Sequence, residues 1–312
     1  MIQRSQTGYP HRMQAQPRLA SIPPLPALLG AIVSVQGGAA LAKHLFAVLG
    51  PTGTVGLRIG LSALVLLIAF RPPLHKLTAA QWRAIVPYGV VLGGMNLVFY
   101  LALSRIPLGL AVTLEFVGPL GIAVFGSRRG IDLAWAVLAA IGIALIAPWK
   151  GGSVDPVGAL LALGAGAFWG AYILIGGRVS RLVPGGAAVA TGMLFAAIAV
   201  LPISIATGGF AQLTAGRVLA GLGVALLSSA IPYTLEMSAL NALPARTFGI
   251  LMSLEPAVAA LAGRIFLGEV LSPAQWLAVA LVIAASTGST LTGRRAAPTP
   301  AVEACDAVAI EP

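Results

Sequence analysis

Ten stretches of about twenty apolar residues follow one another with almost nothing between them. They fall near 25–46, 52–70, 84–104, 107–126, 131–149, 157–177, 186–207, 217–239, 245–267 and 273–292. A helix rises ~1.5 Å per residue, so ~20 residues cross the ~30 Å hydrocarbon core of a bilayer. Segments such as Leu61–Phe70 are apolar on every side, whereas membrane barrel strands alternate apolar and polar residues. The connections are short and rich in turn formers: Arg71-Pro72-Pro73, Lys150-Gly151-Gly152, Pro184-Gly185-Gly186 and Gly208-Gly209. They leave no room for a soluble catalytic domain. Charged residues make up only 9% of the 312, against about 25% in a soluble domain. Glycine and proline are abundant, but so are aliphatic residues, which excludes a disordered chain. The predicted fold class is an all-α membrane protein with ten transmembrane helices.

The net charge of +10 raises the question of nucleic acid. The basic residues stand singly or in pairs between apolar runs, with no stripe of Lys, Arg and aromatics, so no nucleic-acid partner is expected. Topology explains them better. With the N-terminus inside, the inner segments hold 13 of the 19 basic residues, among them Arg71, Lys76, Arg83, Arg178 and Arg181. Both termini are then cytoplasmic, as tails 1–24 and 294–312, in a multi-pass protein of a bacterial inner membrane. Arginines precede the first run and Ala40-Leu41-Ala42 resembles a signal cleavage site. Removing that run would break the repeat described next, so it is read as a span.

The chain resembles itself at an offset of 137 residues: Leu103, Pro107 and Pro119 fall on Leu240, Pro244 and Pro256. Slightly later, at an offset of 141, Trp135 falls on Trp276. The ten spans divide into five plus five, as repeats 25–150 and 155–293. An odd number of spans makes the second copy enter from the opposite side. Such inverted repeats are common in secondary transporters, where two halves rock about a central site.

A charge at mid-membrane costs about 2.5–3.5 kcal/mol on insertion scales. Lys43, Arg58, Glu115, Glu236 and Glu255 all lie within or near the ends of apolar runs, so they must pair or face water. Helix-breaking prolines stand near several of them. Proline removes the bond to the carbonyl four residues back, so Pro119 frees Glu115, Pro232 frees Ser228 and Pro256 frees Met252. In repeat coordinates the two central glutamates, Glu115 and Glu255, lie three residues apart on one helical face. The candidate substrate-binding set is Lys43, Arg58, Asn96, Tyr100, Glu115, Tyr233, Glu236 and Glu255. Arg58 or Lys43 would meet a carboxylate, and a glutamate with freed carbonyls would meet an ammonium. Desolvation disfavours a charged carboxylate, which suits Glu115 and Glu255 to carrying a proton. The same residues would alternatively serve as ion pairs between helices, and Lys43 equally as an interfacial anchor. No paired-histidine metal site, phosphate-binding loop or catalytic cluster is visible. The protein is therefore read as neither an enzyme nor a cofactor binder.

These motifs resemble the drug/metabolite transporter superfamily, whose ten-helix members carry paired EamA domains, and most closely its bacterial threonine/homoserine exporter branch. The likeness rests on Gln36-Gly-Gly-Ala-Ala-Leu-Ala-Lys43, Gly93-Gly-Met-Asn-Leu-Val-Phe-Tyr100 and the run from Pro107 to Pro119. It continues through Ser127-Arg-Arg129, Leu163-Gly-Ala-Gly-Ala-Phe-Trp169, Ile231-Pro-Tyr-Thr-Leu-Glu-Met237, Arg246-Thr-Phe-Gly249, Met252-Ser-Leu-Glu-Pro256 and Leu267-Gly-Glu269. The resemblance implies proton-coupled efflux of small neutral amino acids, with protons, substrate and lipid as the partners. Another exported metabolite or drug is the alternative, and a membrane protein without transport the remote one. A dimer is compatible with the sequence, which leaves the oligomeric state open.

Overall fold

The computed structural model describes residues 23–125, 130–146, 154–179, 181–183, 185–232, 235–236, 239 and 251–292, and these are almost entirely helical. In chain order the helices are α1 (Pro24–Phe70), α2 (Ala79–Leu103), α3 (Leu108–Glu115), α4 (Val117–Phe125), α5 (Gly130–Ile146) and α6 (Pro156–Val179). They continue with α7 (Gly185–Ala206), α8 (Ala215–Ala225), α9 (Glu255–Leu267) and α10 (Pro273–Thr292). Five of them are long and apolar enough to cross a membrane, and α1 has the length of two spans. Tyr233, the 237–244 half of the repeat match apart from Ala239, and the motifs at 127–129 and 246–249 lie outside the described residues.

Two predicted runs, 25–46 and 52–70, join as the 47-residue α1. It breaks at Gly50, whose φ of 66° and ψ of 171° are open to glycine but costly for other residues. The α7 end fastens the break: Ser204 donates to the Thr52 carbonyl at 2.8 Å, and Thr207 bonds the Thr52 hydroxyl. The run at 107–126 instead splits into α3 and α4 at Phe116. The α8 helix ends in a π-helical turn, Leu226–Ala230. Thr78 with Gln81 forms a capping box at the start of α2, and Ser272 with Gln275 makes the same reciprocal bonds before α10.

The side-chain distribution is that of a protein in lipid. Leu160, Leu174, Ile205, Leu219 and Ile265 are each more than 60% exposed, while Gln36, Arg58, Asn96, Glu115 and Glu255 are buried. So much outward apolar surface suits hydrocarbon rather than water. Helices approach closely where glycine allows it. Gly118 of α4 lies against the Gly166 carbonyl of α6, and a Cβ on Gly118 would collide with that backbone. Gly118→Ala should cost about 1–3 kcal/mol through overpacking and lower the thermal unfolding midpoint of the detergent-solubilised protein by several degrees. Gly37 has no atom within 4 Å of a built Cβ, so Gly37→Ala serves as the control and should leave the midpoint unchanged or raised.

Candidate functional site

The buried polar groups of α1, α2, α3, α8 and α9 converge on one cavity of about 460 Å³. Arg58, from the second half of α1, is its cation. Its Nη1 donates to Asn96 Oδ1 at 2.8 Å and its Nη2 to the Ser228 carbonyl at 3.0 Å. Asn96 is held in turn by its own bond to the Leu92 carbonyl at 2.8 Å. The guanidinium also lies 5.3 Å from the centre of the buried Tyr100 ring, a cation–π distance. Ser228 sits in the π-helical turn, where the Ile231 N–H reaches back five residues to the Leu226 carbonyl rather than four. In this turn the Leu227 carbonyl accepts from the Ser34 hydroxyl and the Ser228 carbonyl from Arg58.

Three carboxylates face the same space. Glu115 closes α3 and Glu255 opens α9, 8% and 7% exposed respectively, and Glu236 joins them on the wall. Both Glu115 and Glu236 lie within electrostatic reach of Glu255, and Arg58 lies within reach of Glu115. Both signs of charge therefore line one pocket, and neither described ion pair includes Arg58. The walls are otherwise mostly apolar and aromatic, including Phe116 stacked edge-on against Trp169 with ring centres 5.3 Å apart. Gln36 lines the cavity too, and its buried Oε1 has no hydrogen-bond partner among the described residues. The freed Glu115 carbonyl packs against Gly166, so at this position the cavity is offered the carboxylate rather than the backbone.

Lys43 stands apart from this group. It lies outside the cavity wall, where its Nζ donates to Glu269 Oε1 at 2.5 Å and to the Ile106 carbonyl at 3.1 Å. Glu269 Oε2 accepts the Leu108 N–H at 2.8 Å. That N–H is one of the unsatisfied donors in the first turn of α3, where an anion is favoured. One carboxylate thus ties α1, α3 and the segment after α9 at a single point. Nearby, Arg105 Nη1 donates to Asp155 Oδ2 at 2.8 Å. That bond, helped by the Val157 N–H, holds the exposed Asp155 carboxyl below its ordinary range. Both pairs stand at the end of the bundle where α2 finishes and α6 begins.

Of the candidate residues, the cavity gathers Arg58, Asn96, Glu115, Glu236 and Glu255, with Tyr100 beneath Arg58. It also includes Ser286, Ser289 and Thr290 of α10, which sequence reasoning passed over. Small hydroxyl residues are frequent in membrane helices, and only their position on the cavity wall sets these apart.

Residues 156–291 match the EamA-like transporter family. Over 274 residues the chain is 49% identical to the threonine/homoserine exporter RhtA of Escherichia coli K12, spanning 87% of this chain and 92% of that protein. The chain belongs to the EamA-like transporter family. The RhtA of Salmonella typhimurium LT2 matches this EamA-like protein equally well, at 49% identity over the same shares of the two chains. The uncharacterized transporter YwfM of Bacillus subtilis is 30% identical over 241 residues, 74% of this chain and 80% of YwfM. A solved crystal structure only 20% identical shares the fold, with a TM-score of 0.57 over 86% of this chain and 98% of its own. The EamA-like family is one of transporters, so the expectation of a transporter rather than an enzyme is met.

Proposed function

We propose that this protein exports small neutral amino acids of the threonine/homoserine type by proton antiport, in ten spans arranged as two inverted five-helix repeats. The observation that carries the reading is that one buried cavity is lined by both signs of charge, Arg58 together with Glu115, Glu236 and Glu255. A zwitterion needs both signs at a fixed separation. Its carboxylate meets Arg58, already oriented by Asn96 and Ser228, and its ammonium meets the glutamates. An ammonium or hydroxyl also supplies the donor that Gln36 Oε1 lacks. The printed names of the relatives supply the substrate class, and the 460 Å³ volume lies within the range for small-molecule sites of roughly 300–1,000 Å³.

Exchange follows from competition for one carboxylate. A proton arriving from outside neutralises Glu115 or Glu255, the ammonium loses its partner, and the amino acid leaves outward. The proton then departs to the less acidic cytoplasm and the site takes up substrate again. The Lys43–Glu269 bond closes the outer mouth meanwhile. Leu108, which Glu269 binds, and Glu115 are the two ends of the eight-residue α3. That helix, ~10 Å long by helical rise, links the closure to the cavity.

Both termini lie in the cytoplasm, with the protein in a bacterial inner membrane. Among described residues, Arg71, Lys76, Arg83, Arg178 and Arg181 gather at one end without an ion pair, whereas Lys43 and Arg105 at the other are paired. Cells making the protein should release radiolabelled threonine or homoserine several times faster than cells lacking it. Equal release, with faster release of a different metabolite, would assign the cavity to that compound instead.

The closure has its own test. In a Cys305→Ser background, Ser289→Cys places a thiol on the cavity wall. Adding Glu269→Gln should raise its labelling by a membrane-impermeant maleimide from outside by severalfold. An unchanged labelling rate would mean that the Lys43–Glu269 bond does not hold the mouth shut.

A further inference from the structure

At the end of the bundle opposite the Lys43–Glu269 bond, a second, smaller cavity of about 340 Å³ is lined by Arg83, Arg178 and Arg181, with Ala80 and Leu182. The first helical turns of α2 bring Arg83 there, and the last turn of α6 and the turn after it bring the other two arginines. Gln81 Nε2 donates to the Leu182 carbonyl at 2.8 Å and pins the two segments together. Beneath them Ala84, Ile85, Tyr88, Val179 and Val183 form a compact apolar cluster. The arrangement is therefore anchored on both sides.

Three like charges have been brought to one hollow, and no ion pair among the described residues includes any of them. The described ion pairs are Lys43–Glu269 and Arg105–Asp155, both at the other end. Three described glutamates lie in the central cavity, leaving only Asp132 on α5. Like charges around a shared space repel unless an anion sits between them. Arginine's planar fork is suited to the oxygens of a phosphate. Arg178 gains only part of its compensation from the C-terminus of α6.

The surroundings distinguish a lipid from a small ion. Leu174 lies one turn from Arg178 on the same face of α6, further into the bundle, and is 62% exposed; Leu182 on the cavity wall is 39% exposed. An apolar track therefore leads from the arginines along the outward surface of the helix. We infer that Arg83, Arg178 and Arg181 form a binding site for the phosphodiester headgroup of an anionic phospholipid, whose acyl chain lies along Leu174. A free phosphate shares the headgroup chemistry but makes no use of the apolar track. The site joins α2 to α6, so a bound lipid bridges both predicted halves of the transporter. The inference stands independently of the exported substrate.

The test uses the full-length protein, delipidated in mild detergent and incubated with phosphatidylglycerol or phosphatidylcholine, with bound lipid counted by native mass spectrometry. The wild type should retain phosphatidylglycerol severalfold over phosphatidylcholine. Each Arg→Gln change at 83, 178 or 181 should weaken that retention about fivefold, and the triple variant should lose the preference. The Arg→Lys triple variant should keep most of it, which controls for folding. Inorganic phosphate at equal concentration should leave the lipid bound. Equal retention of the two lipids, an undiminished preference in a folded Arg→Gln triple variant, or displacement by inorganic phosphate would each overturn the assignment.

Discussion

Replacing Arg58 with methionine should lower threonine efflux by at least about a hundredfold while leaving a monodisperse, helical protein. Among the described residues, Arg58 is the only cation on the wall of the central cavity, and it is 8% exposed. Its two hydrogen bonds, to Asn96 Oδ1 and the Ser228 carbonyl, leave the rest of the guanidinium for a substrate carboxylate. Losing one partner of a buried charged pair costs about 3–5 kcal/mol, and every 1.4 kcal/mol is about tenfold in affinity. Methionine keeps the length and apolar bulk, so the loss reports on charge rather than volume. Arg58→Lys should retain part of the activity, because an ammonium supplies the charge without the planar fork. The measurement is counterflow of radiolabelled threonine in proteoliposomes, with circular dichroism and size exclusion to verify the fold. A well-folded Arg58→Met protein exchanging threonine at the wild-type rate would remove Arg58 from substrate binding.

Glu115→Gln and Glu255→Gln, made separately, should divide two activities that the wild type combines. Glutamine preserves shape and can still bond an ammonium through its oxygen, but it cannot release and regain a proton. Threonine-for-threonine exchange should therefore persist within about tenfold, one charge-assisted bond being worth roughly 1.5 kcal/mol more than a neutral one. Accumulation against a gradient should fall to the passive level. The sign follows from antiport: wild-type export grows as the outside is made more acidic than the inside, and a coupling-deficient variant shows a flat response. Both glutamates are buried on the cavity wall at helix ends, so each has the geometry for the role. Were both variants folded and both to export threonine with the wild-type dependence on the pH gradient, the coupling role would be lost.

The apolar helices were legible because lipid demands continuous apolar surface and internally satisfied backbone, which leave their mark on the local sequence. The run predicted at 273–292 is α10 to the residue, and those at 157–177 and 186–207 are close to α6 and α7. What takes up the Ser228 carbonyl was not legible, because Arg58 lies 170 residues away along the chain, and the π-helical turn that holds Ser228 left no mark in the local pattern. The joining of two runs through Gly50 was also missed, since helix breaks and turns share the same Gly-Pro signal.

From its sequence by itself this chain is an apolar, helical, EamA-like protein carrying five costly internal charges, since each of those properties is local or read directly from residue identity. Which charge serves which purpose was decided by tertiary structure. Lys43 and Arg58 stand fifteen positions apart and looked interchangeable, yet across the break at Gly50 one meets Glu269 in an ion pair and the other enters the cavity with three glutamates. The physical reason is that a buried charge takes its role from its nearest partners, and those partners come from distant helices that only packing brings together.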